Sequence, residues 1–191
     1  MVRLLLVFLC TLFASVAYAD SKGGLICPNG KIEAKSFGAY YVPEKGNFGM
    51  VFFKEAATEE EIDAAMAEQA KFWLGRAPKG PAGKRLKYLP LAFKVVGKVN
   101  KSVKKADANE LAKGYTSFHY VCEKSESVVD MEMKERAAKT KAFIQNLSAD
   151  MKQGGKVDLN TKGDFAGDPK DKQKVKVAWK IQGSTKLRVY E

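Results

Sequence analysis

The sequence predicts an α+β fold, a single domain in which an antiparallel sheet of about six to eight strands packs against two main helices. Three observations predict it. Short apolar or alternating runs lie between turn signals, as at Leu25-Ile26-Cys27 before Pro28-Asn29-Gly30. Two other stretches space their apolar residues three and four apart behind capping residues. Residues 20–191 also have the length of one domain able to bury a core.

The first nineteen residues belong to a different process. Arg3, an apolar run from Leu4 to Val16, and Ala17-Tyr18-Ala19-Asp20 follow the order of a cleavable export signal. Cleavage is expected after Ala19, which makes the mature chain a secreted or periplasmic protein. The apolar run is too short to span a bilayer, and no later stretch is long enough. Cys10 follows bulky Phe8 and Leu9, so it is read as leaving with the signal and not as a lipid anchor. Cys27 and Cys122 remain, and in an oxidising compartment they are expected to form a disulfide. On the chain-entropy model a loop of about a hundred residues closed this way contributes on the order of 4 kcal/mol.

After the cleavage site, the chain reads as a meander. Leu25-Ile26-Cys27 turns into residues 31–42, and Pro43 to Asn47 leads into Phe48 to Lys54. Thr58 before Glu59-Glu60-Glu61 is a capping box, and Ile62, Met66 and Trp73 continue a helix to about residue 74. Arg76 to Arg85, rich in Gly and Pro, is expected to be a surface loop. Leu91, Phe93, Val95, Val99 and Val103 then alternate with Lys94, Lys98, Asn100, Ser102 and Lys104, predicting a long half-buried strand. Asp107 and Glu110 cap a short helix over 107–113, and Tyr115 to Glu123 is another strand.

Ser127 and Asp130 open the second main helix, carrying Met133, Ala137, Thr140, Ile144, Leu147 and Met151 and ending at Gly154-Gly155. Residues 156–172 are polar and rich in Gly, Asp and Lys, so they are expected to form a loop. The chain then ends in a hairpin of Gln173 to Ile181 and Thr185 to Tyr190. A three-residue loop, Gln182-Gly183-Ser184, keeps Trp179 opposite Leu187 and places Lys180 opposite Lys186.

Charge is the main functional signal. Residues 20–74 carry a net charge of −3, residues 75–125 of +9 and residues 126–191 of +4, and from Lys79 through Ala106 there are nine basic residues and no acid. The candidate anion-binding set is Lys79, Lys84, Arg85, Lys87, Lys94, Lys98, Lys101, Lys104 and Lys105, joined by Lys174, Lys176, Lys180, Lys186 and Arg188 of the hairpin. Like charges set opposite one another across strands are mildly destabilising, which either an anionic partner or protection of a sheet edge repays. The 28 lysines far outnumber the 5 arginines. Lysine is a compact point charge, and bidentate base reading favours arginine, so sequence-specific nucleic-acid binding is not expected. Diffuse, salt-sensitive binding to an anionic polymer or to a membrane or envelope surface is.

The residue types that carry chemistry do not fall in patterns that support it. His119, the one histidine, lies three residues from Cys122; in a strand the two point to opposite faces, so no metal site is assigned. The same histidine has no orienting acid placed beside it, and Glu59 to Asp63 complement a helix dipole, so no catalytic residue is assigned. Asp158 to Asp164 begins like a calcium loop, but Lys162 stands at a ligand position and Pro169 where the closing glutamate belongs. Neither a metal nor any other cofactor is expected. Asn100-Lys101-Ser102 and Asn146-Leu147-Ser148 are glycosylation sequons, both within expected regular elements.

The leading expectation is a non-enzymatic binding protein with a basic surface. A second is a protein–protein module acting through loop 76–85 or through exposed Tyr40 and Tyr41. A third is an enzyme with His119 or an acid lining a pocket.

Overall fold

A computed structural model describes residues 21–27, 30–75, 89, 91–107, 109–110, 116–122, 125–129, 145–166 and 176–191, with backbone alone at 21, 27, 30, 116–122, 125–129, 165–166 and 176–177. The first strands are β1 (Ser21–Cys27), β2 (Gly30–Glu33), β3 (Ser36–Val42) and β4 (Asn47–Phe53), followed by helix α1 (Glu59–Trp73). Then come β5 (Leu91–Lys98), β6 (Lys105–Asp107), β7 (Thr116–Cys122) and β8 (Ser125–Val129). The last three are β9 (Ser148–Asp150), β10 (Lys156–Ala166) and β11 (Lys176–Val189). As the turn signals predict, β1 pairs antiparallel with β2, and β3 with β4.

Strand order in the sheet is β6-β9-β10-β11-β3-β4-β5-β7-β8, with β1 and β2 branching from β11. Among the described strands all pairings are antiparallel but one: the end of β11 lies parallel to β3, with Leu187 beside Ala39 and Val189 beside Tyr41. The sheet is therefore mixed. It also curls, because one apolar cluster joins Ala106 and Ala149 at one edge to Phe93 and Val95 on β5. Phe37, Phe52 and Phe93 stack across three strands in that interior, with centroids 5.2 and 4.3 Å apart.

Helix α1 starts as its capping box dictates. The Glu61 amide donates to Thr58 Oγ1 at 3.2 Å, and the Thr58 amide donates to Glu61 Oε2 at 2.8 Å. Ile62, Ala65, Met66 and Ala70 pack on the outer side of β3 and β4, against Tyr40, Val42, Val51 and Phe53. Gly38 permits that approach, since a Cβ there would lie 2.6 Å from Ile62 Cγ2. Strands β3 and β4 are thus buried on both faces, which is why their sequences are near-continuous apolar runs.

This architecture corrects the expected antiparallel sheet under two helices: the fold is mostly sheet, with one helix among the described residues. The expected second helix would open at Ser127, but Ser125–Val129 is β8; it would continue through Leu147, but Ser148–Asp150 is β9, while residues 130–144 lie outside the described residues. The spacing of four between Leu147 and Met151 fits a helix, but with Ala149 between them it fits a strand equally well. Burial of Leu147 and Ala149, with Met151 packed against the same cluster, selects the strand.

The expected C-terminal hairpin is likewise one unbroken strand. β11 passes through Gln182-Gly183-Ser184 because β10 pairs along it from Lys156 opposite Lys186 to Ala166 opposite Lys176, and β1 pairs along the other edge. A three-residue loop and an uninterrupted strand both keep Trp179, Ile181 and Leu187 on one face, so parity does not distinguish them. The expected loop at 156–172 is, as far as residue 166, strand β10. Val157, Leu159 and Thr161 point inward in alternation with Lys156, Asp158, Asn160 and Lys162. The strand expected to run from Leu91 to Val103 stops at Lys98, before a turn at Lys101 and Ser102.

A candidate binding face on β1, β10 and β11

Alternation along β11 turns Trp179, Ile181 and Leu187 into the core and leaves Lys180, Gln182, Ser184 and Lys186 exposed. The register adds matching rows from the neighbours: Lys156 opposite Lys186, Asp158 opposite Ser184, Asn160 opposite Gln182 and Lys162 opposite Lys180. Strand β1 contributes Lys22 beside Gln182. An open depression of about 500 Å³ lies in this face, lined by Lys22, Asn146, Asp158, Asn160, Gln182 and Ser184, among others.

The inner side of the same strands holds the face in shape. The Trp179 ring lies across Gly163, its register partner, where a Cβ would sit 2.7 Å from the indole. Its Nε1 donates a buried hydrogen bond to Thr161 Oγ1 at 3.1 Å. Both strands are thereby tied by a large apolar group whose polar atom is satisfied.

Electrostatically, the face is uneven. Lys156 pairs with Asp158 at 2.9 Å. Among the described residues, no acid pairs with Lys162, Lys180 or Lys186, although Lys162 and Lys180 stand directly opposite each other. The expected opposition of Lys180 to Lys186 is corrected to Lys162–Lys180 and Lys156–Lys186, because the strand does not fold back on itself.

The structure does not unite the predicted anion-binding set. Lys79, Lys84, Arg85, Lys87 and Lys174 lie outside the described residues, and Lys176 is described as backbone alone. Lys94 is half-buried, on the face of β5 shared with Val51, where α1 packs. Lys98 Nζ donates to the Lys45 carbonyl at 2.6 Å. Lys101 and Lys104 are exposed between β5 and β6, and Lys105 lies 3.9 Å from Asp150. Because α1 rests on β3 and β4, between β5 and β11 in sheet order, the helix separates Lys94 and Lys98 from Lys180 and Lys186.

Arg188 leaves the set altogether. It is buried, its Nε donating to Asp63 Oδ1 at 2.7 Å and its Nη2 to Glu59 Oε2 at 2.5 Å. Its Nη1 donates to Thr185 Oγ1 at 2.9 Å and to the Lys186 carbonyl at 2.6 Å. Parallel pairing with β3 sets Arg188 beside Tyr40, beneath the first turns of α1, so the residue fastens the helix to the sheet. Conversely, Lys22, Lys156 and Lys162 belong to the face and were missed. For the last two, the alternation of residues 156–162 was the available signal, hidden by their Asp, Asn and Gly content.

Further expectations are also decided. Tyr40 and Tyr41 are buried, 0% and 3% exposed, and offer no partner surface; burial raises the pKa of the Tyr41 hydroxyl, which has no hydrogen-bond partner among the described residues. Asn100 and Asn146 sit in exposed turns and not in regular elements, Asn100 Oδ1 accepting from the Ser102 amide at 3.1 Å. Loop 76–85, the signal at 1–19 and the side chains of Cys27, Cys122 and His119 lie outside what is described, so the expected disulfide does too. The described residues contain no helix long and apolar enough to cross a membrane.

No protein-family model, curated protein or solved structure matches the chain.

Proposed function

We propose that the chain is an exported, non-enzymatic binding protein that engages an anionic polymer or an anionic envelope surface through the outer face of β1, β10 and β11. The observation that carries this reading is the exposed Lys162–Lys180 cross-strand pair, with no acid paired to either among the described residues. Like charges at that separation repel, and a polyanion bridging the two ammonium groups converts the repulsion into attraction. Lysines on point-charge terms favour a partner recognised by charge density over one recognised by base sequence.

The test is binding of residues 20–191 to heparin, DNA, lipopolysaccharide and anionic vesicles, at low and near-physiological salt. The reading expects at least one partner to survive near-physiological salt and to weaken about tenfold or more when Lys162, Lys180 and Lys186 become glutamine, the equivalent change at Lys98, Lys101 and Lys104 having little effect. Binding indifferent to the first triple substitution removes this face. Equal weak binding to all four, abolished by salt, makes the lysines devices that keep a sheet surface soluble.

A further inference from the structure

We infer that the ligand of this face is an acidic polysaccharide; the inference rests on the anion-binding reading above and narrows it. The rows of side chains differ in chemistry along the strands. Lys162 and Lys180 form one row and Lys156 and Lys186 another, with Asp158 and Ser184, then Asn160, Gln182 and Lys22, between them. Six residues separate the two lysine rows on β11, roughly 20 Å at the rise of an antiparallel strand. Lys22 is the one cation named in the middle rows, so a polymer crossing from one lysine pair to the other passes over amides, a hydroxyl and a carboxylate beside that single ammonium group.

Those middle groups discriminate. The side-chain amides of Asn146, Asn160 and Gln182 are exposed and, among the described residues, make no hydrogen bond within the chain. Each offers donors and an acceptor. A ring hydroxyl uses both, because it also donates and accepts. A fully ionised phosphate chain only accepts, so it leaves the amide oxygens unused. Nucleic acid is disfavoured for a second reason: the rows named here present neither an aromatic ring for stacking nor an arginine for bidentate contact. A polymer of alternating hydroxyl and anionic groups matches both parts of the face, carboxylates or sulfates on the lysine rows and hydroxyls on the amide row.

The experiment titrates heparin and polyphosphate, matched in total charge, into residues 20–191, Asn160→Ala/Gln182→Ala and Lys162→Gln/Lys180→Gln/Lys186→Gln, by calorimetry at near-physiological salt. Both sets of substitutions are on exposed side chains, and circular dichroism verifies that the variants are folded. We expect heparin to bind about tenfold tighter than polyphosphate. The amide variant should lose that preference by weakening heparin alone, and the lysine variant should weaken both polymers. Polyphosphate binding as tightly as heparin, or heparin binding unchanged by the amide variant, overturns the polysaccharide inference and leaves the anion-binding reading standing. Failure of both polymers to bind overturns the polysaccharide inference, and the anion-binding reading falls with it if DNA, lipopolysaccharide and anionic vesicles fail to bind as well.

Discussion

The indole Nε1 of Trp73, at the end of α1, donates a 2.8 Å hydrogen bond to the hydroxyl of Tyr40 on β3. Tyr40 is fully buried, and its ring lies across Gly49 on β4, where a Cβ would sit 2.3 Å from the ring. One tyrosine thus joins two strands to the last turn of the helix. Trp73→Phe leaves a buried hydroxyl without a partner, at a cost of roughly 1–3 kcal/mol beyond the change in packing. Adding Tyr40→Phe removes the stranded hydroxyl, so the double variant should be more stable than Trp73→Phe alone in urea unfolding. A double variant that is equally or less stable would show that the bond contributes nothing.

Arg188 holds the other end of α1 by its ion pairs to Glu59 and Asp63. Arg188→Met should destabilise the fold by roughly 2–3 kcal/mol, below the upper range for a broken buried pair because the Asp63 side chain is 61% exposed and water screens it. Lysine restores the charge but not the four directed hydrogen bonds, so Arg188→Lys should recover only part of the loss. Hydrogen exchange adds a local readout: amides of α1 should lose protection in Arg188→Met before those of β3 and β4. Uniform loss across helix and sheet would mean that Arg188 does not act on the helix in particular.

Gly163 permits the Trp179 ring to lie flat across β10. Gly163→Ala places a methyl group 2.7 Å from that ring and should displace it from Thr161, for a loss of roughly 1–3 kcal/mol. In a Trp73→Phe background, the remaining tryptophan emission should shift to the red as Trp179 meets water. An unshifted spectrum with unchanged unfolding would mean that the strands absorb the methyl group.

Stability should fall at alkaline pH. Burial pushes the Tyr40 hydroxyl far above its ordinary 10.0, and partial burial pushes the hydroxyl of half-buried Tyr190 up to about 12, with Arg188 opposing the shift and Asp63 adding to it. Between the ordinary and raised values, the folded chain holds protons that the unfolded chain has released. Their contribution is therefore complete below about pH 10 and lost as pH rises through about 12 for Tyr190. Urea midpoints measured from pH 8 to 11 should decline above pH 10, and the decline should lessen in Tyr190→Phe. A decline identical in that variant would assign the loss to other groups.

Local signals were read correctly where the residues themselves supply the structural cause. Thr58 and Glu61 cap α1 through their own backbone and side chains. Pro43 opens a tight turn that Gly46 closes in the left-handed conformation at φ 64°, and this joins β3 to β4. The candidate face was half legible. Lys180 and Lys186 stand out in an alternating run, whereas Lys156 and Lys162 sit among Asp, Asn and Gly residues that ordinarily mark a loop. Arg188 shows the reverse error, since its alternation with Lys186 is genuine but its surroundings change within two residues, from solvent to the underside of a helix.

By itself, the sequence determined the capping of α1, the antiparallel pairing of β3 with β4 and the large excess of lysine, because each follows from neighbouring residues or from composition. The tertiary structure alone decided that β11 runs unbroken, that β3 joins it in parallel, and that α1 divides the lysines of β5 from those of β10 and β11. The reason is the range of the forces involved. Caps and turns satisfy backbone groups within a few residues, whereas a strand pairs with whatever edge the folded chain brings beside it, and the hydrophobic burial that selects that edge acts between residues more than a hundred positions apart, such as Leu187 and Ala39.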